Sequence, residues 1–370
     1  MVWSQLTDHL QVLWGALVAL VVVLILTPAV GSAARYLRIV PARPPEGERL
    51  RRDVPRLGGL AIFLGILVPS LAFLPLNGAL RGVVLGAAVA TIVGAVDDFR
   101  RLRWWQKLGG QVVSAAVPTI FGVWVHSFTF PVIGVHRLPP PVGVALTIVG
   151  IVAVMNMVNF VDGLDGLAAG VCAISGATFC VIELSRGAIA PAVLAASVCG
   201  ACLGFLRHNF YPARIFMGDS GALLLGYTLA AISVQGLAKT AALAALVLPL
   251  LVLAVPVLDT SFVVAKRLKS RQPIYAADAR HLHHRFMRIG FSQRRAVVYL
   301  WGWCGTLALA ALATRFAPAY HHHDWSVVNV VLDVVAAVLA LGFSLYVVYL
   351  LEIVKLGPAA AQRRESAKAA

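Results

Sequence analysis

The chain has 370 residues, of which 60% are hydrophobic and only 13% are charged. Soluble domains are closer to half apolar and a quarter charged, so this composition excludes a soluble globular protein and indicates one that crosses a membrane many times. The formal net charge of +15 would suggest nucleic-acid binding in a soluble protein. In a membrane protein the orientation of the chain accounts for such a charge, and we expect no nucleic-acid partner.

Eleven apolar segments are each long enough to cross a bilayer as a helix, which takes about 20 residues. They lie near residues 10–30, 58–76, 80–96, 108–125, 142–159, 167–183, 189–206, 218–235, 241–262, 296–313 and 327–351. We therefore predict an all-α, polytopic integral membrane protein with about 11 transmembrane helices. Residues 1–355 are expected to form one transmembrane domain, and residues 356–370 a disordered basic tail.

The distribution of lysine and arginine predicts the orientation. The first 34 residues contain neither, and the first apolar segment is followed by Arg35 and Arg38. If the N-terminus lies outside, 26 of the 31 Lys and Arg residues fall in the inner loops and the C-terminal tail. Cytoplasmic loops are enriched in these residues, so we predict an outside N-terminus and a cytoplasmic C-terminus.

This orientation places the polar clusters at one membrane depth. Asp97 and Asp98 lie at the inner end of the third span, Asp162 and Asp165 between the fifth and sixth spans, and Asp219 at the inner start of the eighth. A histidine cluster lies in the long basic inner loop and consists of His281, His283 and His284. Ionisable groups at membrane depth are rare and usually functional, so we predict one site at the cytoplasmic surface.

The acidic residues favour a cation. Adjacent carboxylates such as Asp97 and Asp98 repel each other, and a divalent metal or a nearby arginine would relieve the repulsion. Asp219 stands at the predicted N-terminus of a helix, where it either stabilises the helix dipole or ligates Mg²⁺. This ion prefers one or two carboxylates together with substrate phosphates.

Asn159, Asp162 and Asp165 are three residues apart, so on a helical turn they would share a face. Gly163 and Gly166, next to the two acids, would let a ligand approach closely. The spacing does not fit an EF-hand loop, which needs acids at alternating positions and a terminal Glu. The histidine cluster could bind zinc, but its flanking arginines suit phosphate oxygens better. The clusters together indicate phosphoryl transfer between a soluble phosphorylated substrate and a lipid phosphate, by positioning and charge neutralisation.

Five motifs together resemble one known family, the polyprenyl-phosphate N-acetylhexosamine-1-phosphate transferases of glycosyltransferase family 4. They occur in the family's order, as Pro55–Gly59, Asp97–Asp98, Asn159–Gly166, Phe216–Gly221 and His281–Arg285. The His-x-His-His form is similar to the branch that uses UDP-GlcNAc and undecaprenyl or decaprenyl phosphate. The resemblance implies that polyprenyl phosphate attacks the sugar-linked phosphate of UDP-GlcNAc, or of a related UDP-N-acetylhexosamine, and that UMP leaves.

The resemblance also implies roles for individual residues. Asp97, Asp98 and Asp219 would be the catalytic acids, with Asp219 and Asp98 as ligands of Mg²⁺, for which Mn²⁺ is an alternative. The substrate-binding residues would be Asn159, Asp162, Asp165, His281, His283, His284, Arg51, Arg52 and Arg56. The three arginines stand where family members often have Lys or His. The expected setting is the lipid bilayer of a bacterial inner (plasma) membrane, with the active site cytoplasmic and a homodimer left open.

Two other classes of protein fit less well. CDP-alcohol phosphotransferases also carry Asp-Gly at a helix mouth, but their pattern continues with Ala-Arg, whereas Asp162-Gly163 is followed by Leu164-Asp165. Transporters place charged groups near the bilayer midplane, whereas the middle of each predicted span here is apolar. The sequence leaves open which sugar is used, which polymer is made, and whether the reaction takes one step or two.

Overall fold

The computed structural model describes residues 7–36, 54–130, 134–237, 290–316, 320–321, 324–325 and 327–350. In these ranges the chain forms ten long helices: α1 (Gln11–Tyr36), α2 (Gly58–Phe73), α3 (Gly78–Arg100), α4 (Trp104–Ile120), α5 (Pro140–Val161), α6 (Leu167–Ser185), α7 (Ile189–Asn209), α8 (Gly218–Leu237), α9 (Gln293–Phe316) and α10 (Val327–Leu350). Within the described ranges, seven helices are long and apolar enough to cross a membrane. α2 is equally apolar but has 16 residues.

The helices coincide with ten of the eleven predicted spans. The remaining predicted span, residues 241–262, lies outside the described residues, as do the basic tail and the histidine cluster. The prediction of a predominantly helical, multi-pass membrane protein is therefore confirmed. The total number of spans and the orientation of the termini stay predictions.

Two short hairpins depart from the all-helical prediction. α4 ends at Ile120 because Gly122 adopts φ +82°, a conformation that terminates a helix. Strand β1 (Ser127–Phe130) then pairs antiparallel with β2 (Gly134–Arg137) before α5 begins. A second hairpin, β3 (Tyr320–His321) with β4 (Asp324–Trp325), joins α9 to α10. Since α4 begins beside the end of α3 that carries Asp97 and Asp98, the first hairpin lies at the opposite end of the bundle.

Helix α8 is the centre of the bundle. It packs against α2, α3, α5, α6 and α7, and its side chains Leu223, Leu224 and Leu225 are completely buried. α10 packs against α9 and exposes most of its apolar side chains, as expected of a helix that faces lipid. The N-terminus of α8 is thereby surrounded by the ends of its neighbours, and this is where Asp219 lies.

Candidate active site

The N-terminus of α8 is capped by a carboxylate from another helix. Asp98, in the last turn of α3, accepts the backbone N–H of Asp219 at 2.9 Å and that of Ser220 at 3.0 Å, one on each oxygen. The first N–H groups of a helix lack intrahelical partners and carry a partial positive charge. Asp98 satisfies two of them, which fixes the end of α3 against the start of α8.

The Pro55–Gly59 motif holds the other side of this helix start. Phe216 N–H donates to the carbonyl of Pro55 at 2.9 Å, and the N–H groups of Gly58 and Gly59 donate to the carbonyls of Phe216 and Met217 at 3.0 and 2.9 Å. These bonds form a short parallel pairing that ends where α2 begins. The first residues of α2 are therefore joined, backbone to backbone, to the two residues that lead into α8.

This close approach requires glycine. A Cβ atom on Gly59 would lie 2.1 Å from the backbone nitrogen of Gly221, and one on Gly94 of α3 would lie 2.4 Å from the carbonyl oxygen of Asp219. Both neighbours are main-chain atoms of α8, which cannot rotate away as a side chain can. Gly59 and Gly94 thus allow α2 and α3 to approach the segment that carries Asp219.

Three helices converge on the carboxylate of Asp219. The ammonium of Lys107, in the first turn of α4, lies 2.7 Å from Asp219 Oδ1 and 2.9 Å from Asp97 Oδ2. Asn159 of α5 donates its side-chain N–H to the same Asp219 oxygen. Asp97 Oδ1 accepts the N–H of Leu102 at 2.6 Å, which holds the α3–α4 turn. Asp97, Asp219, Lys107 and Asn159 therefore form one connected cluster, and Asp98 adjoins it through the backbone N–H groups of Asp219 and Ser220.

Lys107 was missed by the sequence analysis, which expected a metal or an arginine beside the paired aspartates. The cation next to Asp97 is this lysine, because α4 turns back along α3 and brings its first turn beside the last turn of α3. The available signal was a lone lysine at the inner start of an apolar span, ten residues after Asp97. A charge in that position needs a partner of opposite sign.

The loop after α5 corrects a second expectation. α5 ends at Val161, with Asp162 as its C-cap residue, and Gly166 then adopts φ +79°. Asn159 and Asp165 therefore do not share a helical face. Asn159 reaches Asp219, whereas the buried Asp165 accepts the N–H of Ala213, in the loop before α8, at 2.9 Å.

Asn209, at the end of α7, is a second residue that the sequence analysis did not identify. Its side chain is buried, accepts the N–H of Gly166 at 3.0 Å and donates to the carbonyl of Ile215 at 2.9 Å. It therefore joins the α5–α6 loop to the loop that leads into α8. Asp165 makes a second link between the same two loops, through the N–H of Ala213.

Asp162 lies in a buried, negatively charged environment. Burial, followed by the negative charges of Asp219 and Asp98, raises the pKa of Asp162 to about 7, while the positive charge of Arg56 acts in the opposite direction. Asp162 and Arg56 therefore lie within electrostatic reach of the acidic cluster. Arg51, Arg52, His281, His283 and His284 lie outside the described residues.

The donor atoms fit magnesium only in combination with a substrate. In the described ranges, no three His, Cys, Asp or Glu side chains are grouped to hold a metal by themselves. Lys107 stands between Asp97 and Asp219, and both oxygens of Asp98 accept backbone N–H groups. The donors are nevertheless all oxygens with an excess of negative charge. Mg²⁺ commonly combines one or two carboxylates with substrate phosphates, so this centre fits an ion that is shared with a phosphorylated ligand.

The fold and the site together define a class, namely a multi-pass membrane protein with an acidic, lysine-bridged centre at one end of its helices. A family model described as glycosyl transferase family 4 matches residues 80–237, which include Asp97, Lys107, Asn159 and Asp219.

Relatives that cover most of the chain agree with this match. A "Probable undecaprenyl-phosphate N-acetylglucosaminyl 1-phosphate transferase" of Bacillus subtilis is 35% identical over 300 residues, which cover 80% of this chain and 83% of that protein. A "Decaprenyl-phosphate N-acetylglucosaminephosphotransferase" of Mycobacterium leprae is 36% identical, with 81% and 83% covered. A "Phospho-N-acetylmuramoyl-pentapeptide-transferase" of Alkaliphilus metalliredigens is 29% identical, with 80% and 95% covered. The chain belongs to glycosyl transferase family 4.

Proposed function

We propose that this protein transfers N-acetylglucosamine-1-phosphate, or a related N-acetylhexosamine-1-phosphate, from the UDP-sugar to polyprenyl phosphate and releases UMP. The reaction would take place at the cytoplasmic face of a bacterial inner membrane and start the synthesis of a lipid-linked cell-envelope glycan. The observation that carries the proposal is the convergence of Asp97, Lys107, Asn159 and Asp219 at the N-terminus of α8. The names of the Bacillus and Mycobacterium relatives support the same reaction.

The transfer exchanges one phosphorus–oxygen bond for another. An oxygen of the lipid phosphate attacks the phosphorus that carries the sugar, and the bond from this phosphorus to the UMP oxygen breaks, so UMP leaves with the electron pair. The second pKa of a phosphate monoester is about 6, so the lipid phosphate is largely a dianion at neutral pH. Removal of a proton is therefore a minor demand on the protein, and holding several negative charges together is the major one.

The protein's residues meet this demand by positioning. The Lys107 ammonium compensates Asp97 and Asp219, Asn159 fixes the Asp219 carboxylate, and Asp98 holds the start of α8. Asp97 accepts the N–H of Leu102 and lies beside the Lys107 ammonium, and Asp98 accepts two backbone N–H groups. With these carboxylates held in structural contacts, we propose a single displacement. The catalytic roles of Asp97, Asp98 and Asp219 stay predictions.

We further propose that Mg²⁺, with Mn²⁺ as an alternative, binds at Asp219 together with substrate phosphate oxygens, with Asp98 as the second predicted ligand. When bound, the ion would neutralise charge on the transferred phosphate. The excess of carboxylates around Lys107 supports this proposal. The substrate contacts predicted for Asn159, Asp162, Asp165 and Arg56 remain proposals. Eleven spans and an outside N-terminus are likewise proposed, and a homodimer is left open.

The proposed reaction is tested directly with membranes that contain the protein. Radiolabelled UDP-GlcNAc and polyprenyl phosphate are expected to yield a labelled lipid and an equal amount of UMP, and both products should require a divalent cation. A panel of UDP-N-acetylhexosamines then identifies the preferred sugar. Absence of both lipid product and UMP with every sugar in the panel would refute the proposal.

Replacing Lys107 by Met is expected to lower the rate of transfer by about 10²-fold, the scale on which removal of one preorganised charged contact acts. The change leaves Asp97 and Asp219 to repel each other without the ammonium between them. Lys107→Arg should retain part of the activity, because it keeps the charge but not the geometry.

The matched control for Lys107 is Arg81→Gln, which removes an exposed cation at the other end of α3. The activities of Lys107→Met, Lys107→Arg and Arg81→Gln are compared by the initial rate at which each forms the lipid product. A Lys107→Met enzyme as fast as the control would show that the ammonium has no part in the reaction.

A further inference from the structure

Two side-chain amides pair inside the bundle, beneath the acidic cluster. Gln111 of α4 donates to Asn156 Oδ1 at 3.2 Å, and Asn156 of α5 donates back to Gln111 Oε1 at 2.8 Å. Asn156 also donates to the carbonyl of Val152 at 2.8 Å. Gln111 is 1% exposed, so breaking the pair would leave polar atoms unsatisfied in an apolar environment.

The pair lies one helical turn from the two residues that hold Asp219. Gln111 follows Lys107 by four positions on α4, and Asn156 precedes Asn159 by three positions on α5. Residues three or four apart share a face of a helix. Lys107 and Asn159 both bind Asp219 Oδ1, and each therefore has one half of the amide pair directly behind it.

Reciprocal pairing sets the axial register of two helices more strictly than apolar packing does. Each residue advances a helix by about 1.5 Å, so sliding α4 along α5 by one residue would strain or break both amide hydrogen bonds. Asn and Gln side chains commonly form hydrogen bonds between membrane helices. In this protein the register decides whether the Lys107 ammonium and the Asn159 amide arrive at the same oxygen.

We propose that Gln111 and Asn156 are positioning residues, whose reciprocal amide pair fixes α4 against α5 so that Lys107 and Asn159 meet at Asp219. Neither amide is assigned a contact with substrate, and they act through the two residues one turn away. The proposal rests on the transfer reaction proposed above.

The test uses Gln111→Met and Asn156→Leu, which keep the size of each side chain and remove the pair. Each variant is expected to lose about 10- to 100-fold in kcat, the scale on which supporting contacts behind a site act, with the KM for UDP-GlcNAc unchanged. The double variant should be no slower than the slower single variant, because the two amides act as one unit. Exchange of the pair, Gln111→Asn with Asn156→Gln, should restore most of the kcat.

The control is Ser114→Ala, which removes a hydrogen bond of 2.9 Å from the same helix, α4, to Gly86 of α3. It should lower the melting temperature of the detergent-solubilised protein without the same loss of kcat. The proposal is overturned if Gln111→Met and Asn156→Leu keep wild-type kcat. It is equally overturned if Ser114→Ala has a melting temperature similar to that of the amide variants and loses as much kcat as they do. Failure of the exchanged pair to recover kcat would also overturn it. A wild-type protein without transfer activity would instead refute the proposed function.

Discussion

Asp219→Asn is expected to lower transfer by about 10²- to 10³-fold, the range measured for loss of one preorganised electrostatic group. Asn keeps an oxygen that can accept from Lys107 and Asn159, so the contacts around α8 should largely persist. The variant loses the negative charge that compensates Lys107 and that would bind Mg²⁺ beside the substrate phosphates. Excess Mg²⁺ should therefore restore little of the activity.

The measurement for Asp219→Asn combines the rate of lipid product formation with the melting temperature of the purified protein. Asp8→Asn, which neutralises an exposed carboxylate before α1, is the control and should behave as wild type. Near-normal turnover of Asp219→Asn would contradict the assigned role. Full recovery of activity at high Mg²⁺ would show that the residue affects only the affinity for the ion.

Gly94→Ala and Gly59→Ala are expected to destabilise the protein and to inactivate what still folds. Each added Cβ would lie within 2.4 Å of a backbone atom of α8, the Asp219 carbonyl for Gly94 and the Gly221 nitrogen for Gly59. Overpacking of a core costs about 1–3 kcal/mol, and a clash with main chain allows less relief than a clash with a side chain. Relief requires α8 to move, and Asp219 moves with it.

Two further glycines provide matched controls for these substitutions. Gly109 of α4 and Gly302 of α9 have open space where a Cβ would be added, and alanine favours a helix over glycine by up to about 1 kcal/mol. Gly109→Ala and Gly302→Ala should therefore keep or raise the melting temperature, with activity retained. Equal melting temperatures for all four variants would contradict the close approach of α2 and α3 to α8.

The sequence by itself determined the class of fold and the approximate location of the site. Ten of the eleven apolar segments are helices in the described ranges, because the apolar length that a membrane helix needs is a local property of the chain. Basic loops predicted one common face for the acids, and Asp97, Asp98, Asn159 and Asp219 do lie together.

Residue spacing and apolar runs gave wrong predictions where a helix ends or the chain turns. The spacing of three between Asn159, Asp162 and Asp165 suggested a shared helical face, but α5 ends before Asp162. The β1–β2 hairpin was missed for a similar reason, since the apolar run continues past Ile120 although Gly122 ends the helix. Apolar composition reports burial or lipid contact and does not report the conformation of the backbone.

Only the tertiary structure decided which polar groups meet. Lys107 and Asp219 are 112 positions apart, and Asp98 and Ser220 are 122 apart, so no local period relates them. The same holds for the amides of Gln111 and Asn156, which are 45 positions apart. The sequence predicted that the acidic residues gather at one end of the helices, since the bilayer core excludes charged groups. The packing of α3, α4 and α5 around α8 decided which of these groups pair with one another. Hydrogen bonds and ion pairs form only over a few ångströms, and the register of the helices determines which side chains come that close.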